Sequence, residues 1–252
     1  MAQAGKLGKL VAIRPHVLAD LAAYVKGKMP NPPPSADYYS DVGTNWGMLG
    51  NDQVGDCTIA GAAHAVMAWN SEVGSALAVP DAGTVVKQYE DITGGKDTGC
   101  VESNVLTLWR QKGLWGSDQI AAFAPVNTQD LVAVHQAIAF YGCAYIGVTL
   151  PRSAMDQFNA NQPWSVVPGS PIEGGHCVVL VGYDPHAAYA VTWGRVVPVT
   201  YPFLATYMDE CWAIISEQFV QAKATPALDL ATLQADLGLL KVETNGQTPG
   251  VS

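Results

Sequence analysis

Cys57 and His176 are the two residues whose types and settings could do covalent chemistry together. Cys57 follows NDQVGD and opens CTIAGAAHAVMAWNSEV, a run apolar on nearly every side, which reads as a helix buried within a core. Asp56 stands where an N-cap is expected. A thiol at a helix N-terminus meets unpaired backbone N–H groups and the positive end of the helix dipole. Both favour thiolate, and such sites lower a cysteine pKa from about 8.5 to roughly 3.5–7.5. Gln53, four residues earlier, could aim its amide at the same point. With the Cys57 N–H it would bind a developing oxyanion. His176 lies in IEGGHCVVLVGYD, where two glycines release the chain into a β-branched strand. A histidine at the mouth of a strand can present its ring to a cleft and act as base toward a thiol. Each residue alone has a plainer reading: a buried structural cysteine after a turn, and a strand-edge histidine bonded locally.

The other histidines carry less. His64 lies seven residues after Cys57, two helical turns on and along roughly the same face, and reads as structural. His135 within an apolar helix and His16 read as packing or surface groups, and His186 as solvated in a turn. Five dispersed cysteines form no CxxC pair, which disfavours a zinc knuckle or thioredoxin site and suggests free thiols in a reducing compartment. No metal or other cofactor is expected. Net charge is -9 and no Lys/Arg cluster occurs, so neither a nucleic-acid surface nor a footprint on anionic lipid is expected. The N-terminus carries Lys6, Lys9, Arg14 and Asp20, which leave no signal-length apolar run, and nothing approaches the ~20 apolar residues of a membrane span. A soluble protein, cytoplasmic or virion-associated, is the expectation. The Trp and Tyr residues are dispersed and read as core and interface.

The elements that must position the pair follow from pattern. Residues 1–35 read as a basic, partly helical extension ending in the stiff connector MPNPPPS, and residues 38–56 as turns. Helices are expected at 57–73, 84–92, 102–112 (ending at Gly113) and 128–140. Strands are expected at 144–150, 176–183, 188–193 and 211–216. Residues 36–217 would then form one α+β domain, a helical lobe followed by a sheet lobe. Residues 218–252 would hold an amphipathic helix (LDLATLQADLGLL) and a frayed end.

Taken in order, these segments resemble the papain-like cysteine peptidases. NDQVGDCTIAGAA resembles that family's Asn-Gln-Gly…Cys-Trp-Ala-Phe segment, and GGHCVVLVGYD its Gly-Gly-His-Ala-Val…Val-Gly-Tyr block. AVTWG falls where the family has Asn-Ser-Trp-Gly, and MPNPPPSADYYSDV is similar to the start of the mature enzymes. The resemblance spans roughly residues 30–216. It implies a two-lobed fold with a central Cys-bearing helix and an antiparallel β-sheet or barrel lobe. It also implies Cys57 as nucleophile, His176 as base and then acid, Gln53 as oxyanion donor and Trp193 as a shield over the imidazole.

Three departures qualify this. The family's orienting Asn is replaced by Val191, with Thr192 next to it, so Thr192 or Asp184 would have to hold the imidazole. The Gln-to-Cys gap is two residues shorter than in papain. The stretch before the mature-like start is short for an inhibitory propeptide, although residues 1–29 could lie across the cleft as a short inhibitor. Three functions stay open. The first is a thiol hydrolase of peptide or isopeptide bonds, whose partner is a peptide or protein substrate. The second is a catalytically weak or inactive papain-fold component of an assembly, bound to other protein subunits. The KLGKL-like start and GND-x-x-GDC box are similar to proteins of bacteria and their phages, which makes a virion one such assembly. The third is acyl transfer by a transglutaminase- or arylamine acetyltransferase-like fold, which wants an Asp on the next strand, whereas Asp184 lies in the turn.

Overall fold

A computed structural model describes residues 3–74, 77–116, 119–223 and 225–240. The expected end segment TNGQTPGVS lies outside them. Seven strands build one antiparallel sheet: β1 (Ala36–Asp37), β2 (Ala122–Pro125), β3 (Ala144–Pro151), β4 (Ile172–Tyr183), β5 (Ala187–Thr192), β6 (Arg195–Thr200) and β7 (Met208–Ile215). The order is β2-β7-β3-β4-β5-β6, with β1 added beside the end of β4. Strands β3, β4 and β7 are buried along most of their length, which is why they read as continuous apolar runs rather than alternating ones.

Helix α1 (Cys57–Val73) packs across β4 and is buried on nearly all sides. It ends at Gly74, whose left-handed φ of 73° suits a residue without a Cβ. Tyr145 of β3 donates its hydroxyl to the Thr58 carbonyl at 2.7 Å, tying the first turn of α1 to the sheet. Helices α2 (Ala82–Thr93) and α3 (Glu102–Lys112) pack on α1, and α4 (Leu131–Tyr141) lies against β4 and β7. The arrangement is the expected α+β one, with helices early and strands late. Pattern reading passes over β2, β6 and the short helices α5 (Arg152–Asn159), α6 (Tyr201–Tyr207) and α7 (Glu217–Ala222).

The two terminal segments are built into the body. A 3-10 turn at Leu21–Tyr24 meets α8 (Leu230–Gly238), where the Tyr24 hydroxyl donates to Asp236 at 2.8 Å. Val25 bridges Leu228. Among the described residues no helix is long and apolar enough to cross a membrane.

Candidate active site

Helix α1 delivers Cys57 and strand β4 delivers His176 to one very small cavity of about 10 Å³. Met48, Asn51, Ala60, Gly61, His64, Cys177, Val191, Thr192 and Trp193 complete its wall. Cys57 is 2% exposed and His176 1%. The Cys177 backbone N–H donates to the Cys57 sulfur at 3.4 Å, so the strand carrying the histidine also fixes the thiol.

Of the two residues expected to hold the imidazole, Thr192 lies against it. Its Oγ1 lies 2.7 Å from His176 Nε2, while Nδ1, buried, has no partner among the described residues. Trp193 stacks on the same imidazole with centroids 4.6 Å apart and is backed by Phe158 and Trp164. Consecutive residues of a strand point to opposite faces. Here β5 stops at Thr192 and Trp193 turns left-handed, with φ 46°. That break in the extended chain lets neighbouring side chains reach one ring, at the cost of a conformation bulky residues rarely adopt. Asp184, the other orienting candidate, is not at the site. Its carboxylate accepts from the His186 and Ala187 amides and the Tyr189 hydroxyl, closing the β4–β5 turn.

Gln53 is exposed and does not line the cavity. The tight turn after Gly50, in which the Gln53 N–H donates to the Gly50 carbonyl, leaves Gln53 on the outside and buries Asn51 instead. Asn51 was available in the sequence: the Gln53–Cys57 gap is two residues short of papain's, and counting back two more reaches position 51. Asp56 does not cap α1 with its side chain. Its backbone carbonyl takes the Ile59 and Ala60 N–H groups, and its carboxyl points into the interior, fully buried.

His64 belongs to the cavity wall, beyond the structural part expected of it. Its Nε2 is 3.1 Å from the carbonyls of both Trp46 and Gly47. Carbonyls only accept, so Nε2 carries the proton. The other two helical and turn histidines lie elsewhere: His135 stacks on Tyr183, and His186 sits in the Asp184 turn.

The pair is neutral in this closed form. Burial pushes the Cys57 thiol up to about 12, over the opposing effect of the Cys177 and Gly8 amides. Burial, with His64 nearby, pushes His176 down to about 3. Burial likewise lowers His64 to about 4 and raises the Asp56 carboxyl to about 8. The thiolate expected from the helix terminus is thus outweighed by desolvation of the charge.

The lid is the N-terminus of the same chain. Residues 4–10 run over the thiol, with the Lys6 N–H donating to the Asn51 carbonyl (2.6 Å), Lys9 N–H to Gly175 (3.1 Å) and Leu10 N–H to Cys100 (2.9 Å). The Gly8 carbonyl accepts from the Cys100 N–H at 2.8 Å. Gly8 has no alternative, because a Cβ there would stand 1.6 Å from the Gly55 carbonyl oxygen. All five cysteines are free and buried, and no metal-binding group of three or more His, Cys, Asp or Glu occurs among the described residues.

No family model matches the sequence, and no curated protein matches it. Solved structures do match the fold. Xylellain, a cysteine protease from Xylella fastidiosa, superimposes with a TM-score of 0.66 at 15% identity, over 86% of this chain and 98% of that one. Procathepsin B S9 of Trypanosoma congolense gives 0.57 at 11% identity, over 85% and 87%. Digestive procathepsin L 3 of Tenebrio molitor gives 0.56 at 11%, over 79% and 77%. The fold is papain-like.

Proposed function

We propose that the protein is a cysteine peptidase-like hydrolase of peptide or isopeptide bonds, held closed by its own N-terminal segment. The observation that carries this is the shared cavity of Cys57 and His176, with the imidazole fixed at Nε2 by Thr192 and open at Nδ1. In the reaction, Cys57 Sγ attacks the carbonyl carbon and its proton passes to His176 Nδ1. The Cys57 N–H, which as the first helical residue has no intrahelical acceptor, and the Asn51 amide stabilise the oxyanion. His176 then gives its proton to the leaving amine, and a thioester remains. Water, activated by the same imidazole, frees the acid and returns the thiol.

Opening is part of this reading. Burial is the main cause of both pKa shifts, so rehydration reverses both, and the helix terminus and the Cys177 amide then favour thiolate. The test is iodoacetamide alkylation of Cys57 across pH in the wild type, in Gly8→Val and in each combined with His176→Ala. Gly8→Val should speed alkylation at least tenfold and extend it below pH 7, and His176→Ala should remove that extension. A Gly8→Val thiol that titrates near 8.5 with or without His176 would sink the catalytic claim.

A second reading, a papain-fold assembly component without catalysis, is favoured by Val191 at the family's Asn position and by the sealed cavity. It expects no hydrolysis by the opened chain and a stable complex with other subunits.

A further inference from the structure

Lys9 is the best-buried cation of the lid. Its side chain is 1% exposed and enters the body beside β3, where its Nζ lies 3.0 Å from both Asp209 and Glu210 and 3.2 Å from the Leu10 carbonyl. The recess is shaped for it. A Cβ on Gly147 would stand 1.9 Å from Lys9 Cε, so only a glycine on β3 leaves room for the aliphatic stem. The Trp212 indole N–H holds Glu210 from the far side at 3.1 Å, and the Thr149 hydroxyl holds Asp209 at the same distance. A third carboxyl, Glu102 at the start of α3, is fully buried; burial and the neighbouring Glu210 push it well above the usual carboxylate range, and it meets the Cys177 thiol. Asp209 and Glu210 hold one lysine between them, with Glu102 within electrostatic reach, and burying such carboxylates is costly unless a cation is present. Burial works against the Lys9 charge, yet Glu210, Glu102 and Asp209 outweigh it and raise its pKa.

The recess also lies beside the reactive centre. Lys9 is next in the chain to Gly8, whose amide reaches the Cys57 thiol, and Glu102 is close enough to act electrostatically on that thiol. A peptide lying where residues 4–10 lie would therefore place one side chain in the recess while its backbone crosses Cys57.

We propose that Glu102, Asp209 and Glu210 form a recognition site for a lysine or arginine side chain of the substrate, and that Lys9 fills it in cis. The substrate class rests on the hydrolase reading above, but the site itself needs only binding. Arginine suits it as well as lysine, since its five donors can serve Asp209 and Glu210 together.

The test uses the full chain carrying Gly8→Val and Lys9→Ala, which displaces the lid and empties the recess without altering any of its walls. GKLGKLV-amide carrying fluorescein on its N-terminal nitrogen, the sequence of residues 5–11, is titrated by anisotropy against the same peptide with norleucine in place of the second lysine. The lysine peptide should bind at least tenfold more tightly, and Glu210→Gln should shrink the ratio to about threefold or less. If the double variant does not fold, Lys9→Ala alone is titrated with N-acetyl-lysine amide against N-acetyl-norleucine amide, which need only the emptied recess and not the path of the lid backbone. Equal affinities, or no binding of either peptide, would overturn the proposal. Discrimination for lysine with a Cys57 that ignores His176 would leave the site standing and the hydrolase reading fallen. A His176-dependent thiol with no discrimination would do the reverse.

Discussion

Asp56→Asn should make the protein markedly more stable at neutral pH and slightly less stable in acid. The carboxyl is fully buried immediately before the thiol, and burial raises it from 3.8 to about 8, with Asp52 and Asp97 adding to the rise. An acid whose folded pKa is raised binds a proton that the unfolded chain has released. Stability is therefore intact below about pH 4, lost progressively as pH climbs, and level again above about pH 8. Each pH unit inside that window costs about 1.4 kcal/mol, so by pH 7 the native state has given up roughly 4 kcal/mol to keep Asp56 neutral. Asparagine has nearly the same shape and nothing to titrate. Its amide needs a new acceptor, which takes back about 1–2 kcal/mol at every pH. The expected result is a difference between variant and wild type of about −1 kcal/mol at pH 4, rising to about +2 to +3 kcal/mol at pH 7 and about +3 to +4 kcal/mol at pH 8. Urea unfolding at unit pH steps measures it, and the titrations of all other groups cancel in the comparison. A difference that does not vary with pH would refute the reasoning, because it would mean Asp56 is ionised in the native state.

Thr192→Val deletes the hydrogen bond at His176 Nε2 and, among the described residues, leaves both ring nitrogens unpartnered in a buried site. It should cost about 1–3 kcal/mol of stability and at least tenfold in His176-dependent Cys57 alkylation, while Thr192→Ser should restore most of both. His176 and His64 are held at about 3 and 4, below the unfolded value of 6.5. Their contribution is present above pH 6.5 and falls away as pH drops toward 4. His176→Gln should accordingly make the stability slope between pH 4.5 and 6.5 shallower by about 1.4 kcal/mol per unit in denaturant titrations, and an unchanged slope would show that the ring is charged when buried. Asn51→Ala should lower kcat of the opened enzyme by roughly 10²–10³ with little change in KM, whereas Gln53→Ala, on the surface, should leave turnover within about twofold.

What the sequence made legible was set by local pattern. The helix over 57–73 was bounded by residue type alone, because an apolar run beginning after a turn and ending at glycine has few other solutions. His176 on a glycine-released strand was equally plain. The details that needed the third dimension were those decided by backbone direction within a few residues. Gln53 and Asn51 are two positions apart in one turn, and which of them faces inward depends on the hydrogen bonds from the Gln53 and Val54 amides to Gly50. Thr192 and Asp184 were both plausible partners for the imidazole. The choice fell to Thr192 because Asp184 is consumed by its own turn and because Trp193 leaves the strand conformation. In sequence Lys9 reads only as a charge that interrupts the N-terminal apolar run, since its acidic partners lie some 200 positions away.

The charges around the thiol link the lid to the chemistry. Asp56 and Glu102 act on Cys57 as potential anions, His176 and His64 share its cavity as potential cations, and Glu102 also acts on Lys9. When the lid leaves, Lys9 goes with it, and the recess carboxyls are left without their cation. That residual negative field opposes a thiolate, so an opened but empty site is only partly activated. A basic side chain entering the recess restores the positive charge and favours the thiolate at the moment substrate is present. In the chain carrying Gly8→Val and Lys9→Ala, saturating N-acetyl-lysine amide, which brings the side chain without a backbone to cover the thiol, should lower the pH midpoint of Cys57 alkylation. At an effective dielectric near 20 and a separation on the order of 10 Å the shift amounts to at most about one unit. N-acetyl-norleucine amide at the same concentration should leave the midpoint in place. A midpoint that moves equally with both ligands would trace the effect to desolvation rather than charge and break the link between recess and thiol.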